Sequence, residues 1–240
     1  MVGKNQIKLI ASFQQKKFRQ AHGLFFAEGV KCIAELLASD FELYHLYQTA
    51  EVFPEVSAAA KTRISDADLK KMSALSTPNN CLAVFRIPGA APVEHRGLIL
   101  ALDDIRDPGN LGTMVRLCDW FGVAQVVCSN ETVDLYNPKV VQATMGSIAR
   151  VAVHYVDLPT FLDQSKLPVF GTFMDGGNIY AQQLPKEGIV VMGNEANGIS
   201  PAVAQAVSHR IAIPRFGAKQ TESLNVSTAT AIVLSEFRRA

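Results

Sequence analysis

The sequence predicts an α/β protein built from two domains. Short apolar runs typical of buried strands alternate with stretches in which apolar residues recur every three or four positions, as they do in amphipathic helices. This alternation predicts sheets flanked by helices. Residues 87–97, IPGAAPVEHRG, hold two prolines and two glycines without periodicity, so we place a linker there. We therefore expect a small α/β domain over residues 1–90 and a domain with a parallel sheet over residues 97–240.

Composition excludes several classes of protein. Of the 240 residues, 48% are hydrophobic and 19% are charged, which is ordinary for a globular protein. The longest apolar runs are only a few residues, and no apolar stretch follows the lysines of residues 1–10, so we expect neither a membrane span nor a secretory signal. The expected compartment is the cytoplasm. The four cysteines form no C-x-x-C pair and the five histidines no H-E-x-x-H motif, so we expect neither disulfides nor a metal site.

Positive charge is concentrated at the start of the chain. The first 31 residues hold six lysines and arginines against one glutamate, although the net charge of the whole chain is only +1. A basic segment of this kind is either a docking surface for nucleic acid or the solvated face of helices. Charge alone leaves both interpretations open.

Local patterns predict the elements of the first domain. Residues 6–19 predict one helix, with the lysines of this stretch and Arg19 facing solvent. Ser65 is expected to cap a helix that runs to Met72, because serine is a favoured cap and acidic residues follow it. The other expected elements are strands at residues 24–27, 44–47 and 81–85 and a helix after Gly29.

The second domain is organised around residues 98–122, which read LILALDDIRDPGNLGTMVRLCDWFG. An apolar run predicts a strand buried on both faces, a turn at 107–110 follows it, and an amphipathic helix comes next. We expect Asn110 to be the N-cap of this helix. Open α/β sheets hold ligands in such loops at the carboxyl ends of parallel strands, so this loop is a candidate site.

Arg116 lies one position off the apolar stripe of that helix. Helical side chains lean toward the N-terminus, so its guanidinium is expected to reach back toward Asn110. A forked cation, an amide and a helix start together suit a phosphate-bearing substrate. The alternative is that Asn110 only caps the helix and that Arg116 pairs with Asp119 or Asp107.

Two further loops of the same kind follow later in the chain. Residues 189–192 predict a buried strand that runs into Gly193–Gly198, where Glu195 is either a site residue or an exposed loop carboxylate. A short strand at 211–213 precedes a final helix, which we expect Ser223 and Asn225 to open. The other expected features are strands at residues 124–128, 148–155 and 169–173, a turn at Asp175–Asn178, and helices that start after Asn137 and Ser200.

The three loops lack the motifs of several common chemistries. No G-x-G-x-x-G follows a strand, and there is no P-loop or nucleophile elbow. A site of asparagine, arginine, glutamate and serine instead suits a transfer between two positioned reactants, in which proximity and electrostatics supply the catalysis.

Three segments resemble, in order, the three motifs of the SpoU family of the SPOUT methyltransferases. They read DDIRDPGNLGTMVR, VMGNEANGIS, and IPRFG followed by SLNVSTATAIVLSEFRR. LIASFQQKKFRQAHGLFFAEGVKCIAELL is similar to the L30e-like RNA-binding domain found at the N-terminus of many members. The resemblance implies a SPOUT domain with a deep trefoil knot. It also implies a homodimer that uses S-adenosylmethionine to methylate the 2′-hydroxyl of ribose in RNA, with ribosomal RNA the better guess than transfer RNA.

Residue roles follow from motif position. The resemblance implies that the catalytic residues are Asn110, Arg116, Glu195, Ser223 and Asn225. It implies that the cofactor is held, largely through backbone groups, by Thr172, Met192, Gly193, Ile213, Ser223 and Leu224.

Two departures from the family pattern affect the third motif. Arg215 replaces the usual methionine after Ile-Pro, and the segment between Gly217 and Ser223 is about two residues longer than in common versions, so Ala218–Glu222 can alter substrate choice or cofactor closure. Two other functional classes stay open. One is a non-catalytic RNA-binding factor that keeps the fold, and the other is an unrelated α/β nucleotide-binding enzyme.

Overall fold

The computed structural model describes residues 2–217 and 223–239. The chain forms two compact units, and neither is a single continuous segment. One unit contains the residues up to Gly89 together with Asp134–Ala149, and the other contains Ala90–Val133 together with the residues from Arg150 onward. The predicted C-terminal domain, residues 97–240, includes Asp134–Ala149.

The elements up to the linker are, in chain order, α1 (Lys4–Ser12), α2 (Lys16–His22), β1 (Leu24–Glu28), α3 (Val30–Leu37), β2 (Leu43–Gln48), β3 (Lys61–Arg63), α4 (Asp66–Met72) and β4 (Cys81–Arg86). The strands form a sheet in the order β1-β4-β2-β3. β4 is antiparallel to both β1 and β2, whereas β3 is parallel to β2. Ser65 accepts a hydrogen bond from the backbone N–H of Asp68, so its predicted role as a cap is confirmed.

The prediction of a single helix over residues 6–19 was wrong. The chain turns between α1 and α2, and Phe13 at this turn is buried. Arg19, expected in solvent, is only 2% exposed. Its guanidinium binds the Asp134 carboxylate and donates to the Phe13 carbonyl oxygen at 2.7 Å. A partner 115 residues away therefore takes this cation into the interior.

The elements after the linker are β5 (Leu98–Leu102), α5 (Pro108–Trp120), β6 (Gln125–Ser129), α6 (Pro138–Thr144), β7 (Ala152–Val156), α7 (Leu158–Gln164), β8 (Val169–Asn178), β9 (Gly188–Met192), α8 (Pro201–Gln205), β10 (His209–Ala212) and α9 (Val226–Phe237). α6 belongs to the first unit. The six strands form a parallel sheet in the order β10-β8-β9-β5-β6-β7, which confirms the predicted fold class. The trefoil knot stays a prediction.

β8 is longer than the sequence predicted. The expected turn at Asp175–Asn178 was wrong, because these residues are the end of this strand. β10 pairs with β8 in two places: Arg210 lies opposite Gly171, and the next residue, Ile211, lies opposite Gly177. The intervening residues of β8 therefore bulge out of the ladder. At Gly176 a Cβ would lie 2.5 Å from the backbone of Ile211, so only glycine fits there.

The central strands position the site. β5 and β9 are buried along their whole length, and their carboxyl ends lie side by side, with Leu102 opposite Met192. The loops after these two strands carry Asn110 and Glu195. No helix of residues 2–217 and 223–239 is long and apolar enough to cross a membrane.

Candidate active site

The loop after β5 ends in a capped helix start. Asp107, rather than the predicted Asn110, is the N-cap of α5, and its carboxylate accepts from the backbone N–H of Asn110 at 2.8 Å. Pro108 takes the first helical position, where proline needs no hydrogen-bond partner. The Asp-Pro pair was the signal for this cap in the sequence. Because Asp107 caps the helix, the side chain of Asn110 is left for other contacts.

Three of the predicted catalytic side chains form one hydrogen-bonded chain. The Asn110 amide donates from Nδ2 to Glu195 Oε1 at 3.0 Å and accepts at Oδ1 from Asn225 Nδ2 at 3.1 Å. Asn225 is also the N-cap of α9, because its Oδ1 accepts from the backbone of Ser227 and Thr228. Ser223 therefore does not cap this helix, contrary to our expectation. The loops after β5, β9 and β10 meet at these three residues.

The Glu195 carboxylate also faces the backbone before α5. Its two oxygens lie 3.4 Å from the N–H groups of Arg106 and Asp107, which are long contacts, and its stronger bond is the one to Asn110. Placing a carboxylate at a helix start is electrostatically favourable. Glu195 is exposed, so this carboxylate remains accessible to a substrate.

Asn194 shapes the loop that presents Glu195, and sequence reasoning missed it. Its Nδ2 donates to the carbonyl oxygen of Asp104 at 2.7 Å, and its Oδ1 accepts from the N–H groups of Ala196 and Asn197. The loop closes on itself, because Asn194 and Gly198 exchange two backbone bonds of 2.9 Å each. At Gly193 a Cβ would lie 2.2 Å from the backbone of Gly198, so the closed loop requires glycine.

A cavity of about 870 Å³ opens beside this polar chain. Glu195 and Asn225 line it, and the strands β8, β9 and β10 lead into its walls. All the predicted cofactor residues line this cavity, namely Thr172, Met192, Gly193, Ile213, Ser223 and Leu224.

The cavity suits S-adenosylmethionine in size and in chemistry. Its volume lies within the roughly 300–1,000 Å³ typical of small-molecule pockets. Ile213 and Leu224 line the cavity from loop positions, just after β10 and just before α9. The Thr172 hydroxyl donates to the Val191 carbonyl oxygen at 3.0 Å, which fixes this side chain at the cavity wall. A lining of loop residues and apolar side chains suits an adenosine and an amino-acid moiety.

Arg116 is on α5 but outside the hydrogen-bonded chain. It is exposed, and within residues 2–217 and 223–239 it has no hydrogen-bond or ion-pair partner. The partners that the alternative interpretation offered are engaged elsewhere, because Asp119 pairs with Arg150 and Asp107 caps the helix. Arg116 comes six residues after Asn110, about 9 Å along a helix axis.

The third motif is described only in part. Ser223 and Arg215 both line the cavity, and Ser223 is exposed. The longer segment Ala218–Glu222, which we expect to influence substrate choice or cofactor closure, lies outside the described residues.

Comparison with known proteins identifies the family. The model of the SpoU rRNA Methylase family matches residues 97–235, which is more than half of the chain. The chain belongs to the SpoU rRNA methylase family. A second model, the MRM3-like substrate binding domain, matches residues 4–83. Family membership confirms the predicted class of enzyme, an RNA methyltransferase that uses S-adenosylmethionine.

Relatives of this SpoU member match it over nearly its whole length. The 23S rRNA (guanosine(2553)-2′-O)-methyltransferase RlmP of Bacillus subtilis is 30% identical, and the match covers 98% of this chain and 97% of the relative. A TrmH-family structure from Porphyromonas gingivalis is 38% identical with a TM-score of 0.91, covering 99% and 98% of the two chains. An AdoMet-bound rRNA methyltransferase structure from Sinorhizobium meliloti is 25% identical with a TM-score of 0.88, covering 99% and 96%.

Proposed function

We propose that this protein transfers the methyl group of S-adenosylmethionine to a ribose 2′-hydroxyl of ribosomal RNA. The observation that carries the proposal is the Glu195–Asn110–Asn225 chain beside a cavity of cofactor size. The B. subtilis relative, whose name specifies 23S rRNA and the 2′-oxygen of a guanosine, supports the RNA class and the ribose oxygen.

Bound S-adenosylmethionine supplies a methyl group on a positively charged sulfur, which makes that carbon open to attack by an oxygen. Thr172, Met192, Gly193, Ile213, Ser223 and Leu224 would hold this cofactor in the cavity. Their contribution is to fix one reactant, and fixing both reactants supplies much of the catalysis in such transfers.

The remaining residues position the RNA and accept its proton. Asn110, held by Glu195 and Asn225, orients the 2′-hydroxyl together with Ser223. Arg116 binds the phosphate next to the target ribose, because the planar guanidinium of an arginine matches phosphate oxygens. An arginine side chain is almost always protonated, so it is a poor base. Among the three hydrogen-bonded residues, Glu195 is the one with a carboxylate base, and its Oε2 receives only one long contact. We therefore assign to Glu195 the acceptance of the proton from the 2′-hydroxyl.

The direct test is transfer of labelled methyl from S-adenosylmethionine to total RNA from cells that lack this gene. We expect label in a 2′-O-methyl nucleotide of one ribosomal RNA, and loss of that label with Asn110→Ala. The matched control is Asn130→Ala, because Asn130 is an exposed asparagine outside the cavity. If the protein binds the cofactor but transfers no methyl to naked RNA or to ribosomal subunits, it is an RNA-binding factor instead. If it binds no cofactor, the assignment as an enzyme is contradicted.

We also propose that the enzyme is a cytoplasmic homodimer. Its four cysteines are buried free thiols, as is typical of proteins in a reducing compartment. The single tryptophan, Trp120, ends α5 with 84% of its surface exposed, and α5 packs on α9 beside it, so this end of the unit offers an apolar contact for a second copy. Light scattering should give twice the mass of one chain, and tryptophan emission should shift to the red on dilution. A monomeric mass at micromolar concentration would contradict the dimer.

A further inference from the structure

Three exposed apolar side chains line the cofactor cavity. Phe216 is 88% exposed, Met174 is 72% exposed and Leu224 is 49% exposed, and all three line the cavity. Large apolar side chains exposed along a ligand cavity are candidates for contact with a bound molecule. Leu224 already has a place in cofactor binding. The methyl transfer proposed above gives no role to Phe216 or Met174.

The position of Phe216 favours a nucleobase as the covering molecule. Glu195 and Asn225 line the same cavity as Phe216, so a nucleotide whose ribose binds at these two residues brings its base to the cavity that Phe216 lines. A base drawn out of its stack loses contact with its neighbours, and RNA-binding proteins replace that contact with aromatic rings and arginine planes. Phe216 is such a ring, and Arg215, the residue before it, also lines the cavity.

We propose, resting on the proposed function, that Phe216 stacks on the base of the nucleotide that is methylated. Phe216 is then a substrate-binding residue and takes no part in the methyl transfer. Every base has a flat π-face, so a phenyl ring would supply affinity for an unstacked base rather than a preference among the four bases.

Two substitutions separate stacking from simple apolar contact. Phe216→Leu keeps an apolar side chain but removes the ring, whereas Phe216→Trp keeps a ring. We would measure initial rates at saturating S-adenosylmethionine while varying deproteinised ribosomal RNA from cells that lack the gene. We expect Phe216→Leu to raise the KM for RNA about tenfold with little change in kcat, because stacking supports bound substrate and transition state alike. Phe216→Trp should stay within about twofold of wild type.

Separate measurements test the two other molecules that Phe216 could cover, namely the cofactor and a second copy of this protein. Calorimetry should give the same Kd for S-adenosylmethionine in all three proteins, and light scattering the same mass. A weaker cofactor Kd in Phe216→Leu would mean that the ring covers the cofactor, and a lower mass would mean that it covers a second copy; either result overturns the proposal. An unchanged KM for RNA overturns it as well. Failure of the proposed function looks different, because the wild-type protein itself would then transfer no methyl.

Discussion

Asn110 joins the site because an amide donates at one end and accepts at the other. Its Nδ2 faces a carboxylate that can only accept, so its Oδ1 is left to face the donating Nδ2 of Asn225. The orientation of this side chain is therefore determined by its neighbours on two other loops. A residue held in one geometry before substrate arrives loses little entropy when it aims a hydroxyl.

Glu195→Gln tests the assignment of proton acceptance. Glutamine keeps an oxygen for the Asn110 amide but has no basic carboxylate, so we expect kcat to fall by about 100-fold while the Kd for S-adenosylmethionine stays unchanged. Steady-state methyl transfer at saturating substrates would measure the first quantity and calorimetry the second. Wild-type kcat in this variant would show that the carboxylate only positions Asn110.

Arg116→Lys tests phosphate binding by the guanidinium. Lysine keeps the charge but loses the fork, so we expect turnover to fall at least ~10-fold. Arg150→Lys is the control, since Arg150 lies in the same unit and pairs with Asp119 away from the cavity. Turnover equal to wild type in Arg116→Lys would refute the phosphate role.

At the scale of elements, β1 ends in a buried carboxylate. Glu28 is 5% exposed, and its side chain accepts from the Ser73 hydroxyl and from the Ala74 N–H at 2.9 Å. Burial raises the pKa of Glu28 above its ordinary value of 4.5, although these two hydrogen bonds oppose the rise. Folding therefore raises the pKa of this carboxyl group, which holds the turn after α4.

This raised pKa predicts how stability changes with pH. In the unfolded chain Glu28 loses its proton near pH 4.5, before the folded chain does, so the free energy of unfolding contributed by this group falls as pH rises from about 4.5 through the raised pKa. Glu28→Gln should remove that part of the pH dependence, whereas Glu42→Gln, which changes an exposed carboxylate, should keep it. Urea unfolding between pH 4 and 8 would measure the free energy of unfolding of each protein. Identical curves for Glu28→Gln and wild type would contradict the assignment.

At the scale of the whole molecule, the first unit includes a segment that follows two of the six strands of the second unit in the sequence. Residues Asp134–Ala149 join it through the Arg19–Asp134 ion pair and through Tyr136, whose ring lies 4.7 Å from that of Phe25. Gly146 adopts a φ of +95°, and a Cβ there would lie 2.6 Å from Glu35. The N-terminal unit is thus completed by chain from the middle of the sequence.

Arg19→Ala tests how much the Arg19–Asp134 ion pair contributes to the free energy of unfolding. Removal of the cation leaves Asp134 without its partner, so we expect a loss of about 3–5 kcal/mol in the free energy of unfolding, as is typical of a buried pair broken on one side. Arg86→Ala breaks an exposed pair with Glu42 and should cost less than about 1 kcal/mol. Urea unfolding of the full chain measures both. Equal losses in the two variants would mean that the buried pair is no stronger than a surface pair.

The sequence by itself determined the fold class, the buried strands and the three loops of the site. These depend on local information: an apolar run of strand length, serine or asparagine before a helix, and polar residues directly after a strand. Ser65, Asn137 and Ser200 were expected helix starts and are caps in the structure. Parallel strands end at one edge of the sheet, and the loops that carry Asn110, Glu195 and Asn225 meet there.

Only the tertiary structure decided which distant partner a charged side chain or a strand segment takes. Arg19 looks like a surface residue in its own helix, and a carboxylate 115 residues away makes it a core residue. Residues Asp175–Asn178 have the composition of a turn, but β10 supplies a strand for them to pair with. The physical reason is the same in both cases. Burial and hydrogen bonding depend on atoms that are distant in sequence, and periodicity within one segment carries no information about them.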